Sequence, residues 1–431
     1  MTPCTATQTK DAAGDHVAPW DTRYEFKAIG LLTIGYGLVG LDRFIINPLF
    51  PVMQKDLGLD YQDMGLISAS LALAWGTAAL FSGGLADRVG RKNVLVPALL
   101  AFSLLVATSG LAVGLLSLLL VRALMGLAEG AYTPASVVAT VAASNPSRVG
   151  LNVGIQQMAQ PLVGLGLGPL IAIGLLKVLP SWHWVFAAVG IPGLALALLM
   201  ARVLRKDAPA TRPAVERGFS ARPPGARAAL RYPAVLVAGL CMVCYLGGLI
   251  TLATFLPSYL TDHLGLPLET MGMVMAGQGL GSLVGMVVVP AFSDRAGRKP
   301  ALIAALVVGV VALGVFTVTS PQPVILFLLL FIALGSTSGA IAITLGPLTS
   351  AAVPATLATS ATGVVVGMGE ILGGALAPAL AGWAAKQAGI AIIPHLGLAA
   401  LMTGLVLVLL CVRESGTISR ATTGMPVRPE D

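Results

Sequence analysis

Two copies of one short basic motif sit at matching places in two long apolar halves of this chain. The first reads Gly83-Gly-Leu-Ala-Asp87-Arg88-Val-Gly90-Arg91-Lys92, the second Pro290-Ala-Phe-Ser-Asp294-Arg295-Ala-Gly297-Arg298-Lys299. The offset, 207 residues from Asp87 to Asp294, also carries Gly58, Met64 and Gly65 onto Gly265, Met271 and Gly272 without a gap. Residue type and spacing held over that distance mark an internal repeat. Each copy lies between long apolar stretches, so the repeated unit is a bundle of membrane helices. Two such bundles in one chain, able to rock against each other, are the build of a secondary transporter.

Composition supports the membrane assignment. Of 431 residues, 56% are hydrophobic and 10% charged, and the mean hydropathy is +0.88, whereas soluble domains carry about 25% charged residues. The apolar residues fall in runs of roughly 20, enough to cross a hydrocarbon core about 30 Å thick. Gly and Pro, 51 and 28 of them, would break soluble helices but are tolerated where membrane helices kink or pack closely. The pattern predicts an all-α polytopic protein with spans near 26–53, 62–85, 94–113, 115–140, 150–178, 182–203, 233–260, 268–292, 301–319, 323–345, 356–383 and 391–412. The expected organisation is a cytoplasmic tail (1–25), an N-terminal six-helix bundle (26–204), a basic linker (205–232), a C-terminal six-helix bundle (233–412) and a second tail (413–431). The first apolar run is too long for a signal-peptide core and no A-x-A site follows it, so it is expected to remain as a helix.

Charge fixes the expected orientation. Place both tails, the 86–93 loop, the loop near Arg148, the linker and the 293–300 loop on one side. That side then holds 21 of the 26 Lys and Arg, while the opposite loops keep Lys55, Lys177 and Lys386. By the positive-inside rule both termini are cytoplasmic, in a cell inner membrane. The net charge of +7 follows from this asymmetry and implies no nucleic-acid partner. The linker, with eight basic residues, two acids and several prolines and glycines from Arg202 to Tyr232, reads as a flexible tether near anionic lipid. Cys241-Met-Val-Cys244 has C-x-x-C spacing but lies in an apolar span, where the thiols serve as small apolar residues rather than as a redox or metal site.

With these residues in view, the chain resembles the major facilitator superfamily over residues 26 to 412. The first motif fits that family's loop between the second and third helices at nearly every position, and the second departs at Pro290. Gly83 permits close helix packing, the turn at Gly90 lets the basic residues reach back, and Asp87 is placed to pair with Arg91. The resemblance implies that the loops latch the cytoplasmic gate, through Gly83, Asp87, Arg88, Gly90 and Arg91, and through Asp294, Arg295 and Arg298. It also implies a monomeric carrier, driven by a proton gradient, with no cofactor.

Five ionisable residues stand clear of the ends of the predicted spans, at membrane depth: Asp42, Arg43, Arg122, Glu129 and Glu370. Each costs about 2.5–3.5 kcal/mol or more at membrane depth, so such residues seldom persist without a partner or a function. Arg122 and Glu129 are two turns apart on one helix face. Aligning Gly126 and Gly130 with Gly335 and Gly339 sets Phe331 opposite Arg122 and Ser338 opposite Glu129, and Leu249-Ile250 stand opposite Asp42-Arg43. The bundle architecture does not require these charges, since the sister bundle does without them. Buried ion pairs fixing helix register are the structural alternative.

The functional reading is a carboxylate site with proton carriers. Guanidinium groups grip carboxylates through paired hydrogen bonds, and a neighbouring carboxyl can change protonation as its surroundings change. Asp42-Arg43 and Arg122-x6-Glu129-Gly130 resemble the anion:cation symporter branch, which implies Arg43 and Arg122 as substrate contacts and Asp42 and Glu129 as proton-coupling groups. Asn47 stands four residues after Arg43, where that branch has Asn after two. Glu370, in Gly367-Met-Gly369-Glu370-Ile-Leu-Gly373-Gly374, is either a third proton site or a buried acid bonded to backbone. Tyr36, Asn47, Gln156, Gln160, Tyr245 and Gln278 are candidate polar pocket contacts. The expected function is proton-coupled symport of a small organic anion. The alternative is proton-antiport efflux of amphiphiles, to which Gly164-x3-Gly168-Pro169 bears a partial resemblance, although two cavity arginines would repel cationic drugs. No catalytic set, metal spacing or G-x4-G-K-[ST] loop occurs, so neither an enzyme nor an ATP-driven pump is expected.

Overall fold

The computed structural model describes residues 20–205, 226–354 and 357–412, with the side chains at 80–88, 226, 227 and 359 outside the description. The tail, most of the basic linker, the C-terminal tail and the side chains of Gly83, Asp87 and Arg88 therefore lie outside the described residues. Twelve helical units follow one another: α1 Thr22–Leu57, α2 Tyr61–Val89, α3 Arg91–Ser109, α4 Leu115–Ala143, α5 Val149–Val178, α6 Trp182–Val203, α7 Pro233–His263, α8 Leu268–Ala296, α9 Arg298–Val318, α10 Pro323–Ala351, α11 Ser360–Ala388 and α12 Ile390–Cys411. Eleven are long and apolar enough to cross a membrane, and α2, at 29 residues, is the twelfth. Lipid-facing side chains such as Leu116, Val311 and Leu410 stand well exposed on the outside, as an apolar solvent requires.

The repeat is visible in the backbone. Gly58 and Gly265, 207 apart, both adopt left-handed conformations (φ 64° and 67°) where the first helix of each half ends. Gly90 and Gly297 do so at the motif turns (φ 89° and 93°), positions that a side chain would strain. Within each bundle glycines bring helices into contact. A Cβ on Gly126 or Gly130 of α4 would meet the α2 backbone at Leu71 or Trp75, and one on Gly335 of α10 would meet Gly281 of α8. Glu25, at the start of α1, knots the same end of the N-terminal bundle by accepting bonds from Trp20, Asn145, Arg148 and Asn152.

Four helices contain π-helical turns, at Pro161–Leu167, Tyr259–His263, Thr344–Leu348 and Gly369–Leu376. Each includes or closely neighbours a proline: Pro161, Pro257, Pro347 and Pro378. A proline lacks the N–H for its i−4 carbonyl, and a widened turn is one way the ladder adjusts. Helix α1 is interrupted at Ile45, between Thr22–Phe44 and Ile46–Leu57, because Pro48 cannot donate to the carbonyl of Phe44.

The two bundles meet at the end opposite the basic motifs. There α2 packs on α11, with Gly65 against the backbone of Pro378 and Gly382 against that of Tyr61, and α5 packs on α8, with Gly166 against Gly279. Polar bonds cross the same end: Asn47 to the carbonyl of Ala253 (2.8 Å), Ser68 with Thr254 (3.1 Å) and Tyr61 to Asp262 (2.9 Å). Two ion pairs close it, Lys177–Glu269 at 2.8 Å and Lys386–Asp60 at 2.7 Å. These two pairs are copies of one another: an offset of 209 carries Asp60 to Glu269 and Lys177 to Lys386, so the pseudo-two-fold that relates the bundles relates the latches.

Candidate functional site

Midway along the helices five of the buried ionisable residues gather on three elements. Asp42 and Arg43 stand just before the break in α1, Arg122 and Glu129 on α4, and Glu370 on the first π-helical turn of α11. All are at most 8% exposed. Arg43 donates Nη2 to Glu370 Oε2 at 2.9 Å, an ion pair between the bundles across 327 residues of chain. Its guanidinium lies 5.6 Å from the ring of Phe44 and 5.7 Å from that of Trp75, which adds cation–π attraction in a dry surround.

Arg122 is held differently. Its Nη1 donates to the carbonyls of Asp42 and Arg43, each at 3.1 Å. A backbone carbonyl has two lone pairs, so each can accept from the guanidinium beside its place in the helix. The other edge of the guanidinium, Nε and Nη2, has no protein partner although it is buried. Both oxygens of Glu129 and one of Asp42 are likewise buried without partners. Glu129 lies within electrostatic reach of Arg43, Arg122 and Glu370, and Asp42 within that of Glu129 and Arg122. Buried polar groups are nearly always bonded in folded proteins, so orphaned atoms on both a guanidinium and a carboxyl mark a place built for something else.

Toward the closed end, Arg43, Arg122, Asn47 and Ser68 line a pocket of about 10 Å³, room for about one water. Beyond the closure, a cleft of about 810 Å³ lined by Lys55, Asp56, Trp182 and Asp262 faces the opposite side.

Not every candidate pocket residue joins the cluster. Tyr36, two turns before Arg43 and on the same face of α1, is within electrostatic reach of Arg43 and Glu370. Asn47 is engaged across the bundle interface, with Ala253. Gln156 is fully buried with both amide atoms unpartnered, whereas Gln160 is partly exposed and packs its backbone on Gly40 of α1. Gln278 is buried and unpartnered one turn from Ser282, whose hydroxyl meets Ser338, the counterpart of Glu129, at 2.9 Å. Tyr245 sets its ring against Gly404 of α12, inside the C-terminal bundle, and its hydroxyl is buried without a hydrogen-bond partner. Periodicity gave no warning, because a tyrosine on α7 reads alike whether it faces the cavity or a sister helix. Cys241 and Cys244 are free thiols, and the described residues hold no cluster of metal-ligating side chains.

The second motif shows how the basic loop is built. Arg298 donates to Asp294 and to Ser293, both at 2.6 Å, the i,i+4 spacing expected of Asp87 and Arg91. Lys299 reaches the carbonyl of Leu409 at 3.1 Å and Lys92 that of Leu204 at 2.6 Å. Each lysine thus caps the C-terminal end of the last helix of its own bundle, a favourable place for a cation. That symmetric capping, and the paired latches at the other end, were not anticipated from sequence. The matched 209-residue offset of Lys177 and Lys386 was the available signal.

The family model described as Major Facilitator Superfamily matches residues 32–378 and 240–426. This chain belongs to the Major Facilitator Superfamily. It is a membrane transporter and not an enzyme. A Hexuronate transporter of Bacillus subtilis is 29% identical over 271 residues, 61% of this chain and 62% of that protein, so the chain spans just over three fifths of that relative. A protein of Escherichia fergusonii named for multidrug resistance, MdtD, is 32% identical over 188 residues, 42% of this chain and 38% of that protein. Two solved structures share the fold. A bacterial homolog of the human lysosomal transporter Spinster superposes with a TM-score of 0.69 at 18% identity, covering 90% of this chain and 95% of that one. The nucleoside transporter NupG does so with a TM-score of 0.72 at 14% identity, covering 90% and 98%. The superfamily fold, two six-helix bundles around a central path, is the one built above from glycine contacts and repeats.

Proposed function

We propose that this transporter carries a small organic anion, held by its carboxylate, together with protons across the cytoplasmic membrane by alternating access. The observation that carries the reading is the vacant Nε–Nη2 edge of buried Arg122, beside unpartnered Asp42 and Glu129. That edge offers two parallel N–H donors, the geometry a carboxylate accepts. Arg43 supplies a second positive charge at the same depth. A carboxyl group without a partner is cheapest to bury in its neutral form. Asp42 and Glu129 therefore bind protons when the site is dry and release them when it is wet, which couples proton movement to the substrate. The proton gradient is the driving force, no cofactor or nucleic acid is required, and one chain in its lipid surround suffices. With the basic motifs and both termini cytoplasmic, the latched end described above faces outward, and transport exchanges that closed outer end for a closed inner one.

The relative named as a hexuronate transporter supports a sugar acid as cargo. The relative named for multidrug resistance supports a second reading, proton-antiport efflux. Transport in proteoliposomes with an imposed pH gradient separates them. Inward protons should drive uptake of D-glucuronate or another organic acid; movement of cationic dyes against the proton flow, without an acid response, would refute the symport reading.

A further inference from the structure

The charge balance of the site reaches further than its affinity for carboxylates in general. Two guanidiniums and three carboxyls converge there, and the structure divides them unequally. Arg43 is already neutralised from inside the protein: Glu370 accepts its Nη2 at 2.9 Å, with side chains 7% and 11% exposed. The acid is also walled in. A Cβ on Gly374 would meet Glu370 Oε2 at 2.9 Å, and one on Gly76 would lie 3.5 Å from the Glu370 Cβ. Two glycines thus form the slot in which this carboxylate rests against Arg43. Arg122 has no such bonded anion: its Nε and Nη2 are buried without a protein partner.

We infer that Glu370 sets the valence of the cargo: it fills the carboxylate place on Arg43 permanently, so the site accepts acids with one carboxylate and rejects those with two. The inference rests on the carboxylate-transport reading above. With Asp42 and Glu129 protonated, the charge left uncompensated is that of Arg122, and one carboxylate cancels it. A second carboxylate would have to displace Glu370 from Arg43 or remain buried unpaired, and an unpaired charge in a buried site is strongly unfavourable. Glu370 acts here as a specificity-determining residue, an internal substitute for half of a dicarboxylate.

The test is the binding preference between acids matched in skeleton and differing in valence: D-glucuronate against D-glucarate, lactate against malate, benzoate against phthalate. Purified full-length protein is titrated with each at neutral pH. The wild-type protein should bind the monoacid of its preferred pair about 100-fold more tightly than the diacid. Glu370→Gln, which keeps size and can still accept from Arg43, should bring the two within about tenfold by freeing a guanidinium for the second carboxylate. Glu370→Asp, which keeps the internal anion, should retain the wild-type preference. A wild type that binds the diacid as well as the monoacid overturns the inference even if no Glu370 variant folds. So does a Gln variant with an unchanged ratio. If no acid of either valence binds the wild type, the carboxylate reading itself falls and this inference falls with it; a dye response in the same preparation would identify that case.

Discussion

Replacing Arg122 by Lys isolates the contribution of the vacant guanidinium edge. In the wild-type protein one nitrogen, Nη1, serves the carbonyls of Asp42 and Arg43 at 3.1 Å each, and two others remain for a ligand. A lysine keeps the positive charge at this place, so the bundle should fold and express normally. It has a single nitrogen, however, which cannot serve both backbone carbonyls and grip a carboxylate at two points. The variant loses about one charge-assisted hydrogen bond, ~1.5–3 kcal/mol, or roughly 10- to 150-fold in affinity. Arg122→Ala should do worse, abolishing anion binding, because it removes both the N–H donors and the positive charge that one carboxylate cancels. The assay is a binding titration of the transported acid on purified protein, beside a thermal unfolding curve. A Lys variant whose affinity stays within about threefold of wild type, at unchanged stability, would refute the assignment of that edge to the substrate.

Glu129→Gln removes an ionisable group with no protein partner, and should stop proton-driven accumulation while permitting substrate exchange; unchanged accumulation in a pH-gradient uptake assay would remove it from the coupling path. Lys177→Glu together with Lys386→Glu should open the latched end in the empty protein, read as a longer distance between spin labels on the ends of α2 and α11, and the exchange Asp60→Lys with Lys386→Asp should restore the wild-type distance at that latch. Burial works against the Asp60 carboxylate, but its bond to Lys386 and backbone N–H groups outweigh burial and hold its pKa below 3.8. Because the folded value is depressed, the latch is at full strength above pH 3.8 and fails only as pH falls through that lowered value. The label distance should therefore not change on acidification in the physiological range, and opening near neutral pH would contradict the pairing. Gly279→Val sets a side chain against the backbone of Gly166 and should disfavour closure of that end, shifting the same label distance without loss of expression.

Much of this molecule was legible before any coordinates. The twelve spans fall where apolar runs predicted them, because a helix must satisfy its own backbone in lipid and its length is then set by the bilayer. The repeat announced two bundles, and Gly90 and Gly297 occupy left-handed turns at the places the motif marked. The five buried charges were visible as such, since a charged residue within an apolar run is exceptional whatever the fold. Helix periodicity carried Arg122 and Glu129 onto one face, but it did not distinguish Tyr245, which packs on Gly404, from a cavity residue. The π-helical turn that holds Glu370 follows from Pro378, yet proline alone does not say whether a helix kinks, widens or breaks.

Partnership was what the sequence left open. It offered Glu370 two roles, and an ion pair with Arg43 was not among them, because 327 residues separate the two and helical spacing relates only residues within a few turns. It named both arginines as equals, whereas the folded chain neutralises Arg43 and leaves an edge of Arg122 free. The two latches were lone lysines near span ends until the bundles came together. The sequence by itself determined that charges are buried, because burial follows from the apolar run around each residue. Only the tertiary structure decided which charge answers which, because electrostatic and hydrogen-bond energies depend on separation through space, and the packing of α1 against α4 and α11 sets that separation.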